Sequence, residues 1–395
     1  MEEVVGIDGW RIGNLSTTHL NHSSAMLSIL GAPSSLTYAC AALVQALADV
    51  AYDGHTAIQA MYVDDVKTVW EQLRGSDPRP VVLISDCPSK ALVDLILSTR
   101  LPFLVVADDF EETAHELVEA RGMPLPEMLR LVTQSYCSVD RSLDGDALVL
   151  TGKDVRRPLR QFLVQLAEHY RLEDPAAIAE KTFLRLGCED GSHETIHDHL
   201  TKSGLRVTSP ASRALRADAE GEALIRFMAS QYDGVGWGHG GEVIVWPTSL
   251  FLDWDRPGQF LRGPIDMLGP ARFIVCGPYF HLTVGEWDAE VVIEIVDNPS
   301  GNRLGVDVFS GDILGGVVMP LPDFGVFTFS IPFRVTDPFL AVELRFQLLE
   351  GAIEGRLALR ASAFKKRTPR RQTEPVLEDA DLRLSDRRGD RFTQV

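Results

Sequence analysis

Long apolar runs, close cysteine pairs and an excess of basic residues are all missing from this 395-residue chain. Each absence closes off a class of function. No uninterrupted apolar stretch reaches the roughly 18–20 residues that cross a bilayer as a helix, so no membrane span is expected. The first residues, Met1-Glu-Glu-Val-Val-Gly6, are acidic, unlike the basic start of a secretory leader. The five cysteines (Cys40, Cys87, Cys137, Cys188 and Cys276) are scattered. An odd, unclustered set fits reduced thiols and a cytoplasmic location. The formal net charge is −18, so the chain lacks the basic balance that phosphate contacts need, and no nucleic-acid partner is expected. G-x-x-x-x-G-K-[ST] and G-x-S-x-G are both absent, which removes support for a nucleotide triphosphatase or a hydrolase nucleophile elbow. A literal G-x-G-x-x-G runs from Gly236 to Gly241. It precedes an expected strand instead of joining a strand to a helix, so it is not a dinucleotide fingerprint.

What is present is enough for two or three cores. Hydrophobic residues make up 45% and charged residues 24%, the balance of a soluble globular chain of this length. Residues 25–30, 80–85, 102–107 and 147–150 are short apolar runs that suit strands buried on both faces. Segments with helical spacing separate them, among them 89–98 with Ser89 as N-cap, 126–139, and 155–171. Such alternation implies a parallel α/β sheet over residues 1–172. Residues 173–239 read as a helical connector ending in a Gly-rich hinge. From 240 to 364 the pattern changes to period-2 alternation, as in Glu290-Val-Val-Ile-Glu-Ile-Val296 and Leu340-Ala-Val-Glu-Leu-Arg-Phe346. This predicts an antiparallel, jelly-roll-like β-sandwich. Residues 365–395 are rich in mixed charge and read as a disordered tail.

The first candidate site is Gly31-Ala-Pro-Ser-Ser-Leu-Thr37, between the first strand and a helix opening at Tyr38. Such loops offer backbone N–H groups to phosphate. The order resembles the sulfotransferase family, whose G-x-P-[RK]-[ST]-G-[TS] loop holds the 5′-phosphosulfate of the donor. Gly31, Pro33, Ser35 and Thr37 fall on the pattern, whereas Ser34 stands at the basic position and Leu36 at the second Gly. The resemblance spans roughly 24–172. It implies that Gly31, Ser34, Ser35 and Thr37 would hold 3′-phosphoadenylyl sulfate if the loop works. Lys90 or Arg141 would then supply the missing charge, and Asp86 or Asp108 the general base. Without that charge, the loop reads as a structural turn of a catalytically degenerate protein with no cofactor. On that reading Asp86, Asp108 and Lys90 are ordinary strand-end and capping residues.

His193-Glu-Thr-Ile-His197 is a literal H-E-x-x-H. On one helix, His193 and His197 would share a face as a zinc pair needs, with Glu194 as base. The preceding acidic and glycine residues favour a polar helix with surface histidines.

Trp246-Pro-Thr-Ser-Leu-Phe-Leu-Asp-Trp254 and Gly277-Pro-Tyr-Phe-His-Leu-Thr-Val-Gly-Glu-Trp287 resemble the carbohydrate-binding-like β-sandwich modules that accompany bacterial polysaccharide-biosynthesis proteins. The resemblance implies a glycan site. Trp246, Trp254, Tyr279 and Trp287 would stack on sugar rings, and Asn298 and Arg345 would bond hydroxyls. The same aromatics can equally be sandwich core. Together these readings describe an accessory protein of bacterial surface-polysaccharide metabolism that binds glycan or a biosynthetic partner. The alternatives are an active glycan-modifying sulfotransferase and an oligomeric scaffold.

Overall fold

The structure, a computed structural model, describes residues 26–73, 80–143, 145–189, 193–204, 219–232 and 243–367. The Gly-rich stretch at 233–241 and the tail beyond 367 lie outside these residues.

Five strands form a parallel sheet: β1 (Met26–Gly31), β2 (Thr56–Gln59), β3 (Val81–Ser85), β4 (Phe103–Ala107) and β5 (Ala147–Thr151), in the order β2-β3-β1-β4-β5. The apolar runs of β3 and β4 are buried at every position, because helices cover both faces of a sheet built by right-handed crossovers. α1 (Ser35–Tyr52) is long and apolar enough to cross a membrane. Here Leu36, Ala39, Cys40, Leu43, Val44 and Leu47 bury it in the core instead. α3 (Lys90–Thr99) starts where Ser89 accepts a bond from the Leu92 amide, as its capping chemistry predicts. The helix expected over 155–171 begins later. Pro158 ends a 3₁₀ turn at Gly152–Arg156, and α6 covers Leu159–His169.

The connector is divided between two cores. α7 (Pro175–Arg185) and α8 (Ile196–Lys202) pack through Ala179, Phe183, Ile196 and Leu200 on the α1–α6 side of the parallel sheet. α9 (Ala219–Tyr232) joins α4 (Phe110–Arg121) and α5 (Leu125–Ser142) in a cluster continuous with the sandwich.

The C-terminal part is antiparallel. One sheet orders β13 (Asp312–Pro320), β12 (Arg303–Ser310), β15 (Val342–Leu348), β9 (Arg272–Cys276) and β7 (Leu252–Asp253), with β10 (Pro278–Phe280) also on β15. The other orders β14 (Gly325–Val335), β11 (Gly285–Val296), β16 (Arg356–Lys366) and β6 (Val243–Val245), with β8 (Ile265–Asp266) on β16. The basic run assigned to the tail begins inside this sheet. Lys365 pairs with Glu290, Lys366 donates to Thr283, and Arg367 pairs with Asp288.

Side chains weld the two parts. Lys90 meets Asp337 of the β14–β15 loop at 2.7 Å, and Phe339 from that loop packs against the core cluster built from β1, β3, β4 and α3. Arg130 of α5 donates to the Pro278 carbonyl at 3.0 Å.

Candidate functional site

The Gly31 loop lies at the carboxyl ends of β1, β3 and β4, where open α/β sheets bind ligands. Its own side chains fill it. Ser34 caps α1, its Oγ accepting from the Thr37 amide at 3.2 Å, and the Thr37 hydroxyl donates to the Ala32 carbonyl at 2.7 Å. Gly31 is required by this closure, since a Cβ there would lie 2.5 Å from Thr37 Oγ1. Ser34, Leu36 and Thr37 are fully buried. α5 then seals the strand ends: Ala32, Val106 and Ala107 meet Ser135, Tyr136 and Val139 with no room for a water molecule between them. Tyr136 donates to the Asp108 carbonyl.

The three residues expected above the loop are also committed elsewhere. Asp86 is buried and accepts from the Tyr38 hydroxyl at 2.5 Å. Asp108 is buried, with one carboxylate oxygen taking the Asp109 amide. Lys90, held by Asp337, serves the junction between the two parts. Ser34, Thr37, Asp86 and Lys90 are thus each engaged by neighbours within this chain.

The H-E-x-x-H pair is likewise broken by local structure. Thr195 and Asp198 form a capping box that starts α8 at Ile196. His193 therefore precedes the helix, exposed, and shares no helical face with His197. An open cleft of about 430 Å³ lies here, lined by His193, Glu194, His197, Asp198, Thr201 and Lys202. A different trio converges next to it. Cys188 Sγ lies 3.8 Å from His199 Nδ1, which lies 3.5 Å from Glu194 Oε1. One ligand atom from each falls within 4.8 Å of the others. Burial, with Glu194 beside it, pushes the Cys188 thiol up to about 11, so without a cation it stays protonated. Burial also holds His199 below the usual imidazole range, against the pull of Glu194. Sequence reading missed Cys188 and His199 because their spacing with Glu194 matches no standard motif.

In the sandwich, four of the six expected glycan residues are structural. Trp246 and Trp287 are 1% exposed. The Trp246 ring packs on Phe280 and Phe364 and its N–H donates to Tyr232, while the Trp287 N–H donates to the Thr283 carbonyl. Asn298 is buried, bonding the Leu321 and Pro322 carbonyls and accepting from Asn302. Tyr279 is half-buried with the Arg130 guanidinium over its ring, so that face is taken. Burial raises its hydroxyl well above the ordinary phenol range. Asp297 is paired with Arg356 and Asp307 with Arg345.

Trp254 and Arg345 remain. Trp254 is 45% exposed and lies 5.0 Å from the Phe273 ring, centroid to centroid. Arg345 stacks over Phe309 at 3.9 Å and Phe273 at 5.2 Å, and donates to Asp307 at 2.7 Å. Since Val342, Leu344, Phe346 and Leu348 point inward, Glu343, Arg345 and Gln347 point outward. Asp307 pairs with Arg345 on one side and with Gly316 on the other. The outcome is a strip from Trp254, just after β7, through Phe273, Arg345 and Phe309 across β9, β15 and β12, edged by Asp307, Glu343 and Gln347. Burial raises the Glu343 carboxyl. Phe273 was not singled out from sequence; for Phe309, its alternation with core residues in β12 was the available signal.

No protein-family model matches the chain, and no curated protein matches it. Among solved structures it is similar to a mouse sulfotransferase complexed with PAP, at 10% identity and a TM-score of 0.35, over 55% of this chain and 87% of that one. It is also similar to the C-terminal CBM6, a carbohydrate-binding module, of a marine laminarinase from Zobellia galactanivorans, at 11% identity and a TM-score of 0.18, over 32% and 90%. A Clostridium thermocellum endo-1,4-β-D-xylanase, crystallised as CBM22-1–GH10 modules with xylohexaose, matches at 8% identity and a TM-score of 0.18, over 32% and 25%. The chain thus bears a weak likeness to a sulfotransferase-like fold and to carbohydrate-binding modules, a likeness of chain path alone.

Proposed function

We propose that this protein is a non-catalytic glycan-recognition protein of bacterial surface-polysaccharide metabolism, acting in the cytoplasm. Its α/β part serves as a platform, and the outer face of the β7–β9–β15–β12 sheet takes the sugar. The observation that carries the reading is the exposed Trp254 beside the Phe273–Arg345–Phe309 stack. An indole presents a flat apolar face to the C–H face of a pyranose, and planar polar groups next to it bond the hydroxyls. Asp307 fixes the Arg345 guanidinium, so the hydroxyl donors are held before sugar arrives, which lowers the ordering cost of binding. The filled Gly31 loop supports the absence of group transfer at the sheet ends.

The test is calorimetric titration of the full chain with xylohexaose and with neutral and acidic hexasaccharides, alongside adenosine 3′,5′-bisphosphate. Binding of a saccharide that falls by about tenfold or more in Trp254→Ala, a loss of roughly 1.4 kcal/mol, is expected. Saccharide affinity untouched by that substitution would remove the site. Micromolar binding of the bisphosphate, lost in Ser35→Ala, would instead restore the transferase reading.

A further inference from the structure

Three side chains near the end of the helical layer have the makings of a metal centre. Their backbones are anchored separately. Cys188 follows α7, its amide bonded to the Phe183 carbonyl at 3.3 Å. Glu194 is fixed by its own carbonyl, which takes the Leu159 amide at 2.8 Å, and by the next anchor, Ile196 to Arg157 at 3.1 Å. His199 lies on α8, whose capping box fixes where the helix begins.

The separations suit one small cation. Zinc bonds of about 2.3 Å to sulfur and 2.0–2.2 Å to nitrogen and oxygen, at tetrahedral angles, set S···N near ~3.6 Å and N···O near ~3.4 Å. The observed 3.8 and 3.5 Å differ from these by a few tenths of an ångström. We infer that Cys188, Glu194 and His199 bind a zinc-class divalent ion through Sγ, Oε1 and Nδ1. A thiolate, a carboxylate and a neutral imidazole balance a dication, so the buried cluster carries no net charge once loaded. This donor set, with soft sulfur and imidazole, selects zinc over magnesium or calcium. Lys202 bonds the other oxygen of Glu194 at 3.0 Å and orients that carboxylate from outside, as outer-shell partners do. Three protein ligands leave one tetrahedral position for water or a small anion, and Glu194 also borders the open cleft. The ion ties the end of α7 to α8.

Full-length protein stripped with chelator and titrated with zinc alone should take up one equivalent. Cobalt in its place should give a thiolate-to-metal charge-transfer band. Cys188→Ser should abolish that band, and His199→Ala should weaken zinc by more than about 100-fold, since even outer-shell losses cost about 10–100-fold. His193→Ala and His197→Ala should leave affinity within about twofold. A folded chain that binds no zinc, or binds it equally after Cys188→Ser and His199→Ala, would overturn the site, as would loss on His193→Ala instead. If Cys188→Ser fails to fold, the wild-type chain decides: the cobalt-loaded protein should show the thiolate-to-metal band, and a folded, cobalt-titrated chain without that band refutes the centre.

Discussion

On the outer face of the β14–β11–β16 sheet, Glu290 meets Lys365, Glu294 meets Arg360, Asp288 meets Arg367 and Asp297 meets Arg356, most of them well exposed. On the β12–β15–β9 sheet, Asp307 pairs with Arg345, whose guanidinium stacks on the Phe309 and Phe273 rings, and each side chain of the pair is below one-fifth exposed. The strands alternate apolar and polar residues on both sheets, yet the consequences differ. Exposed pairs in high dielectric are each worth about 0–1 kcal/mol, so the first face is a solvated surface. The second face shields the Asp307–Arg345 pair and leaves Trp254 open, which is how a surface is prepared for a partner with both apolar and hydroxyl groups.

The sharpest way to separate platform from core is Trp246→Ala. Trp246 lies between the sheets, and its removal should cost about 3–5 kcal/mol in denaturant unfolding. A change in saccharide affinity without that loss of stability would return Trp246 to the surface role. A second test runs through pH. His281 is buried where the parts meet, donating from Nδ1 to the Pro338 carbonyl, and burial lowers it to about 4. The unfolded chain takes up that proton near pH 6.5. The stability is therefore full above about pH 6.5 and is lost as pH falls toward 4, by roughly 3 kcal/mol. In His281→Gln that portion of the pH dependence, followed by urea unfolding between pH 7 and 4, should vanish.

The two faces can be compared directly by Arg345→Ala and Arg360→Ala. The first strands Asp307 under the rings and should destabilise by about 1.5–3 kcal/mol; the second should cost about 0–1 kcal/mol. Equal costs, measured in parallel urea titrations, would erase the distinction between the faces. Trp254→Ala should be the mildest, within about 0.5 kcal/mol in stability, while saccharide binding is lost. Substantial unfolding in Trp254→Ala would mean that the indole is structural.

Much of this was legible in advance where the cause is local. The apolar runs of β1, β3 and β4, the Ser89 cap and the period-2 strands β11, β12 and β15 each follow from residues within a few positions of one another. Pro158 was equally visible, but its weight against a helix starting at 155 was underestimated. β2 was not foreseen, since four residues at a sheet edge carry too little pattern. Which Trp is core was not legible either: Trp246 and Trp254 stand eight positions apart in similar surroundings, and only their partners, Phe364 for one and open solvent for the other, tell them apart.

The sequence by itself determined the two grammars of the chain, parallel α/β and then antiparallel β, because side-chain periodicity and caps act within a turn or a strand. Only the tertiary structure decided what the candidate groups do. α5 closes over the strand ends beside Ala32 from about a hundred residues away, Asp337 claims Lys90, and Arg130 covers Tyr279. Burial and partnership are set by which distant elements share a core, and those long-range contacts leave no spacing in the chain to read.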